Sequence, residues 1–151
     1  GNDYYVNNIR MNAAERAASL QAAKEQTLRF VYFIQHQLGF KHLGIATDEF
    51  PTADGFPLVP YYRESRRAKG LVRFNLNHLA QPYNSTLYRT GIAVGDYPID
   101  HHHKKNSTAP QHLNFYPVPS YSLPLGSLIP QKVEGLVLTE KNISVSNVVN
   151  G

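Results

Sequence analysis

Residues 12–39 of the chain read NAAERAASLQAAKEQTLRFVYFIQHQLG. Asn12 and Glu15 have the spacing of a capping box, in which each side chain bonds a free amide at a helix start. Gly39 follows as a natural stop. Apolar or small side chains recur at intervals of three and four, as on one face of a helix: Leu20, Ala23, Thr27, Val31, Ile34 and Leu38. The stretch predicts one long helix over residues 13–38, which packs without chemistry of its own.

The composition indicates one globular domain over residues 1–151. Hydrophobic residues make up 42% of the chain, and Tyr, Gly and Pro number ten each, which suits a turn-rich fold with a real core. The absence of cysteine excludes a disulfide framework, a thiolate nucleophile and Cys-ligated zinc. The net charge of +4 is mild, and neither a nucleic-acid motif nor an apolar run of membrane length accompanies it. We expect neither nucleic acid nor a membrane as a partner, and the compartment stays open between cytoplasm and periplasm.

Beyond the helix, the pattern indicates short strands between proline-rich loops. Val72, Phe74 and Leu76 alternate with polar residues, as in a half-buried strand. Further strands are predicted near 87–94 and 112–118, a short buried strand at 135–139, and a strand or loop at 143–149. The predicted fold class is α+β, with the long helix packed on a mixed or antiparallel β-sheet.

Residues 60–67 read PYYRESRR and concentrate charge in a chain that is only 17% charged. Arginine offers a planar fork that suits carboxylates and phosphates. The segment is therefore either a structural ion-pair network or a clamp for an anionic substrate. Ser65 lacks a Gly-x-Ser-x-Gly context, which argues against a hydrolase nucleophile.

Residues 97–103 read YPIDHHH. Neighbouring side chains on an extended segment point to opposite faces, so at most His101 and His103 share a face. Asp100 beside a histidine can orient the imidazole. No helical His-x-x-x-His or similar partner accompanies the segment, so no metal site is predicted. An exposed loop and a proton-transfer site both stay open.

Four segments in fixed order carry a family resemblance: FPTADG at 50–55 with PYYRESRR at 60–67, GIAVGDYPIDHHH at 91–103, YPVPSYSLPLGSLIP at 116–130, and residues 133–151. Together they resemble the substrate-side, C-terminal portion of a bacterial family of FAD-dependent oxidoreductases, some of whose members are labelled xanthan lyases. The resemblance covers about residues 40–151.

Members of that family bind FAD through an N-terminal Rossmann region with a Gly-rich loop, and this sequence has no Gly-x-Gly-x-x-Gly. The resemblance therefore implies a fragment, the substrate-side lobe of a larger flavoenzyme, expected to bind FAD poorly or not at all and to be inactive alone. Its expected partners are the remaining FAD-binding region of the parent chain and a small-molecule or saccharide substrate.

The resemblance also implies roles for three groups of residues. Those that would contact the flavin are Ser144, Ser146, Asn147 and Asn150. Those that would face the substrate are Arg63, Glu64, Ser65, Arg66 and Arg67. The candidates for the proton-transfer partner of hydride transfer are Asp100, His101 and His103.

The expected function is FAD-dependent hydride transfer on a small polar substrate such as a carbohydrate. Two alternatives stay open. One is a xanthan-type polysaccharide lyase in which arginine neutralises a uronate. The other is a non-catalytic carbohydrate-binding module that uses its tyrosines as stacking platforms.

Overall fold

A computed structural model describes residues 4–62, 66–101 and 113–150 of the protein. The chain divides into two compact units, Gly1–Tyr61 and Tyr62–Gly151. Within the described residues, no helix is both long enough and apolar enough to cross a membrane.

The first unit is built on α1, Ala13–His36. The predicted capping box is confirmed: Asn12 Oδ1 accepts from the Glu15 amide at 2.9 Å, and the Asn12 amide donates to Glu15 Oε2 at 2.8 Å. The predicted stripe from Leu20 to Ile34 is half-buried along its length. The helix ends two residues before the predicted end, and Leu38 is 54% exposed.

Three contacts hold residues 40–57 against α1. Lys24 Nζ lies 2.5 Å from Asp54 Oδ2 and 5.4 Å from the centre of the Phe56 ring. Gln35 Nε2 donates to the Leu43 carbonyl at 2.6 Å. Electrostatic and hydrogen-bond contacts thus order a stretch that the sequence marks with turn residues.

The second unit contains two small antiparallel sheets and one short helix. β1, Gly91–Gly95, pairs with β4, Tyr121–Pro124, and β2, Ile99–Asp100, pairs with β3, Asn114–Tyr116. α2 covers Leu76–Ala80. Short 3-10 helices are Thr86–Thr90, Leu125–Ser127, Glu140–Asn142 and Asn147–Val149. The core cluster consists of Phe74, Leu79 and Val145.

Residues 66–74 form backbone hydrogen bonds with two segments that are distant in sequence. The Ala68 amide donates to the Asn142 carbonyl at 2.9 Å, and the Ser146 amide donates to the Phe74 carbonyl at 2.8 Å. On the other side, the Leu71 amide donates to the Ile129 carbonyl at 2.9 Å. These bonds bring residues 66–74 beside residues 142–150, which are distant in sequence.

The fold class α+β is confirmed by one long helix and small antiparallel sheets. The helix and the sheets belong to different units. The packing of the helix on a sheet, the single domain and the proline-rich loops therefore stay predictions.

Two predicted strands are wrong. Residues 71–76 form only an isolated bridge at Phe74 before α2 begins. Asn75 caps that helix by accepting from the Asn77 amide at 3.0 Å, and this local cap overrides the alternating pattern. Residues 135–139 form no strand: Gly135 has φ +70° in a turn, and Val137 is 57% exposed.

The predicted strand at 87–94 is correct only in its second half. Ser85 Oγ accepts from the Leu87 amide at 3.4 Å and caps the 3-10 helix Thr86–Thr90. β1 then begins at Gly91.

Candidate functional site

Three side chains from three separate segments form one hydrogen-bonded line in the second unit. Arg67 Nη2 donates to Asn147 Oδ1 at 3.1 Å, and Asn147 Nδ2 lies 3.2 Å from His101 Nε2. We call this set the Arg67–Asn147–His101 line. It contains one residue from each of the three groups that the sequence analysis singled out.

Backbone pairing positions the line. The bond from the Ala68 amide to the Asn142 carbonyl holds Arg67 beside the C-terminal segment. Asn147 begins a 3-10 helix that contacts β2, and His101 directly follows that strand. Arg67 and His101 are half-buried and Asn147 is exposed, so the line lies close to the surface, with Asn147 as its exposed member.

Two buried polar atoms at the line have no hydrogen-bond partner within the described part of the chain. They are His101 Nδ1 and Ser146 Oγ, on residues that belong to the line or adjoin it. Buried polar groups in native proteins are nearly always bonded, and leaving one unsatisfied costs about 1–3 kcal/mol. A water molecule or a group of a bound ligand at these atoms would complete their bonding.

An open cavity of about 350 Å³ lies between the sheet β1–β4 and residues 140–150. Its walls include the core residues Phe74 and Val145, and its polar lining includes Glu140, Lys141 and the buried Asn150. The volume is near the lower end of the range of about 300–1,000 Å³ for small-molecule sites. The cavity therefore suits one ring system with apolar faces and a polar edge.

Tyr121 lines this cavity and also a smaller one beside Asp100. Burial raises the pKa of the Tyr121 hydroxyl, and the negative charge of Asp96 adds to the rise. A Cβ built on Gly95 would lie 2.6 Å from Tyr121 Cζ, so only glycine allows this ring to lie so close to β1. The hydroxyl is therefore a neutral donor at the cavity wall.

The structure describes some of the remaining predicted site residues, and these differ in how exposed they are. Arg66 is exposed, Asp100 is half-buried in β2, and Ser144 is 3% exposed. Arg63, Glu64, Ser65 and His103 lie outside the described residues. Within the described ranges, no cluster of three or more His, Asp or Glu side chains could hold a metal ion.

Tyr121 and Lys141 were not singled out from the sequence. Tyr121 lies within the third resembling segment, yet no chemical motif marks it. Lys141 looks like an ordinary surface lysine, and only the 3-10 helix Glu140–Asn142 brings it to the cavity. No local signal in the sequence predicts either position.

A family model described as FAD dependent oxidoreductase matches residues 1–151. The chain belongs to the FAD-dependent oxidoreductase family. No curated protein and no solved structure matches the chain significantly. The match includes α1, so the family relation extends over residues 1–39, which the resemblance leaves out.

The residues of this FAD-dependent oxidoreductase chain fit one end of the cofactor. Apolar walls, the Asn150 amide and the Lys141 ammonium suit the faces and the polar edge of a flavin ring. For the pyrophosphate end, residues 4–62, 66–101 and 113–150 offer no matching site. The sequence has no Gly-x-Gly-x-x-Gly, and the described helices of the second unit have at most five residues. α1 carries the acidic Glu15 in its first turn, which disfavours an anion there.

Proposed function

We propose that this chain forms the substrate-side part of an FAD-dependent oxidoreductase that acts by hydride transfer on a small polar substrate such as a carbohydrate. The observation that carries the proposal is the Arg67–Asn147–His101 line, which joins members of all three candidate groups beside the cavity-lining segment 140–150. The family match over the whole chain supports the redox class.

Residues 140–150 are the proposed contact with the flavin ring. Asn150 and Lys141 line the cavity, and Ser146 has an unsatisfied hydroxyl one residue before Asn147. Bound FAD supplies the hydride acceptor or donor. The chain's own residues would hold the polar edge of the ring by hydrogen bonds and exclude water from its faces with the side chains of the core.

The proposed substrate is polar because exposed cationic and aromatic side chains occur within a few residues of members of the line or of the strands beside them. Arg66 is exposed, so its guanidinium can bind a carboxylate or several hydroxyl groups. Tyr97 lies just before β2 and is 57% exposed, and Tyr116 is the last residue of β3 and is 49% exposed. Exposed aromatic rings offer flat faces to the C–H surfaces of a sugar.

A cofactor titration tests the proposal. The natural full-length protein that contains this chain is expected to purify yellow, with flavin absorbance that dithionite bleaches. Lys141→Gln is expected to weaken FAD binding about tenfold, because one hydrogen bond to a charged group contributes about 1.5 kcal/mol or more. Lys132→Gln is the matched control, since Lys132 is exposed and does not line the cavity.

A colourless full-length protein that takes up no added FAD would contradict the proposal. Equal FAD affinity of the two lysine variants would contradict the cavity as the ring site while leaving the redox class intact. Appearance of an unsaturated uronate from a polysaccharide, followed by its ultraviolet absorbance, would favour a lyase instead.

A carbohydrate-binding module is the second candidate, because one surface aromatic cluster suits it. Tyr83 is 75% exposed, and its ring meets the Tyr88 ring at 5.4 Å in a T-shaped arrangement. The Arg89 guanidinium lies 5.8 Å from the centre of the Tyr88 ring. Saccharide binding that Tyr83→Ala abolishes, in a protein that binds no flavin, would favour this candidate.

A further inference from the structure

The bonds of the Asn147 side chain determine which of its ends faces each neighbour. A guanidinium has donors only, and Arg67 Nη2 lies 3.1 Å from Asn147 Oδ1. The amide oxygen must therefore face Arg67. It follows that the amide nitrogen, which only donates, faces His101.

This orientation decides the tautomer of His101. Asn147 Nδ2 lies 3.2 Å from His101 Nε2, so Nε2 must accept the hydrogen bond. A neutral imidazole that accepts at one nitrogen carries its proton on the other. Neutral His101 therefore carries its proton on Nδ1, the atom that is buried without a partner among the described residues.

We propose that Arg67 and Asn147 are positioning residues that hold His101 in the Nδ1–H tautomer and make it a hydrogen-bond donor at Nδ1. In this arrangement the lone pair of Nε2 is engaged by Asn147, so His101 is not the base that removes a substrate proton. Nδ1 is buried, and His101 lines neither of the two described cavities, so this donor would serve an oxygen that gains negative charge only where bound substrate or flavin reaches below the surface of the free chain. The identity of that oxygen, on substrate or flavin, rests on the proposed function, whereas the tautomer does not.

The same reasoning assigns new roles to two residues that the resemblance placed elsewhere. Arg67, a candidate substrate clamp, uses one amino group to orient Asn147. Asn147, a candidate flavin contact, has its amide engaged at both ends. Arg66, the exposed neighbour, is then the described arginine whose position suits substrate contact.

His78 provides an internal reference of the opposite kind. The Asn75 amide donates to His78 Nδ1 at 3.2 Å. Neutral His78 therefore carries its proton on Nε2. The structure thus predicts two histidines of opposite tautomer in the same unit.

Nitrogen-15 NMR of the imidazole rings at mildly alkaline pH tests the assignment without any cofactor. His101→Gln and His78→Gln identify the two sets of signals. In the unmodified protein we expect His101 to be protonated at Nδ1 and His78 at Nε2. Finding His101 protonated at Nε2 would overturn the proposal.

Asn147→Asp is the decisive variant, because a carboxylate has nearly the same shape and only accepts. It is expected to move the His101 proton to Nε2 while leaving His78 unchanged. Arg67→Met removes the group that orients the amide and is expected to yield a mixture of both tautomers, whereas Arg66→Met is expected to leave the His101 tautomer unchanged. An unchanged His101 tautomer in both Asn147→Asp and Arg67→Met would refute the positioning role, with the His78 signals as the check that each variant is folded.

The donor role has a separate test in the full-length enzyme. Loss of one donor to a developing negative charge lowers kcat about a hundredfold. We expect a loss of this size in Asn147→Asp with little change in KM. An unchanged kcat would refute the donor role even if the tautomer is as predicted, and the absence of FAD binding would instead contradict the proposed function.

Discussion

Gly70→Ala tests whether the segment 66–74 is packed as tightly against residues 142–146 as the structure indicates. A Cβ on Gly70 would lie 2.7 Å from Ser144 Cβ, 2.9 Å from the Gly126 carbonyl oxygen and 3.2 Å from the Ile129 carbonyl oxygen. Both oxygens accept backbone hydrogen bonds at 2.9 Å, from Val72 and Leu71. The methyl group can therefore be accommodated only if these bonds lengthen or the Ser144 backbone moves.

The expected change in the free energy of unfolding is the sum of two losses and one smaller gain. Overpacking a tight site costs about 1–3 kcal/mol, and weakening a backbone hydrogen bond adds up to about 1 kcal/mol. The reduced entropy of the unfolded chain offsets about 0.4–1 kcal/mol. We expect a net loss of about 1–3 kcal/mol in the free energy of unfolding, which lowers Tm by about 2–4 °C for each kcal/mol.

Thermal unfolding followed by near-ultraviolet circular dichroism of the tyrosines measures this loss. Gly44→Ala is the matched control: its Cβ would meet only Gln35 Nε2, at 4.0 Å, so it should be neutral or slightly stabilising. If Gly70→Ala proves as stable as Gly44→Ala, the close packing of Gly70 on Ser144 is wrong, and with it the support of residues 142–150.

Three further predictions concern titration, capping and a surface ion pair. Burial raises the pKa of Tyr121 in the folded state, so above about pH 10 the folded protein binds more protons than the unfolded chain, and the free energy of unfolding falls as pH rises. Tyr121→Phe should flatten this decline when it is measured by urea unfolding. A decline identical to that of the unmodified protein would contradict the raised pKa. Asn12→Ala removes the cap that bonds the Glu15 amide and should lower the free energy of unfolding by about 0.5–2 kcal/mol, as measured by circular dichroism. A loss as small as that of a typical surface substitution would refute the cap. Asp54 has a lowered pKa in the folded state owing to its bond with Lys24, so its contribution to stability is present above the unfolded pKa and is lost as pH falls through the folded pKa. In urea unfolding, Asp54→Asn should show a slightly smaller free energy of unfolding than the unmodified protein at neutral pH, and the difference should disappear in acid. A difference that persists in acid would contradict this account.

The parts of the fold that the sequence predicted are those that depend on local bonds. The capping box of Asn12 and Glu15 joins residues three apart, and the apolar stripe of the helix that follows recurs from Leu20 to Ile34, about four turns. The failed strand at 71–76 shows the limit of pattern alone. There the cap formed by Asn75 and His78 competes with the alternation of Val72, Phe74 and Leu76, and the cap prevails because the segment has no continuous strand partner.

The sequence singles out the members of the Arg67–Asn147–His101 line as candidates, but it does not predict the bonds that join them. Arg67, His101 and Asn147 were all candidates, yet their bonds span 80 and 46 residues of sequence. Those bonds require the backbone of 68–74 to pair with that of 142–146. No spacing in the sequence encodes this pairing, because isolated bridges leave no strand-length pattern.

The two adjacent arginines illustrate why residue type alone is an insufficient guide to role. Arg66 and Arg67 have the same chemistry and equal claim, from sequence, to bind a substrate anion. In the structure the guanidinium of Arg67 donates to the neutral side-chain amide of Asn147. Because a guanidinium only donates, it fixes the orientation of that amide, and the amide orientation in turn fixes the proton position on His101. Lysine at position 67 would preserve the charge and a donor, so Arg67→Lys should retain the Nδ1–H tautomer of His101 in the nitrogen-15 spectrum, and a mixture of tautomers there would contradict this. What distinguishes the two in the structure is that Arg67 donates to Asn147 whereas Arg66 is exposed.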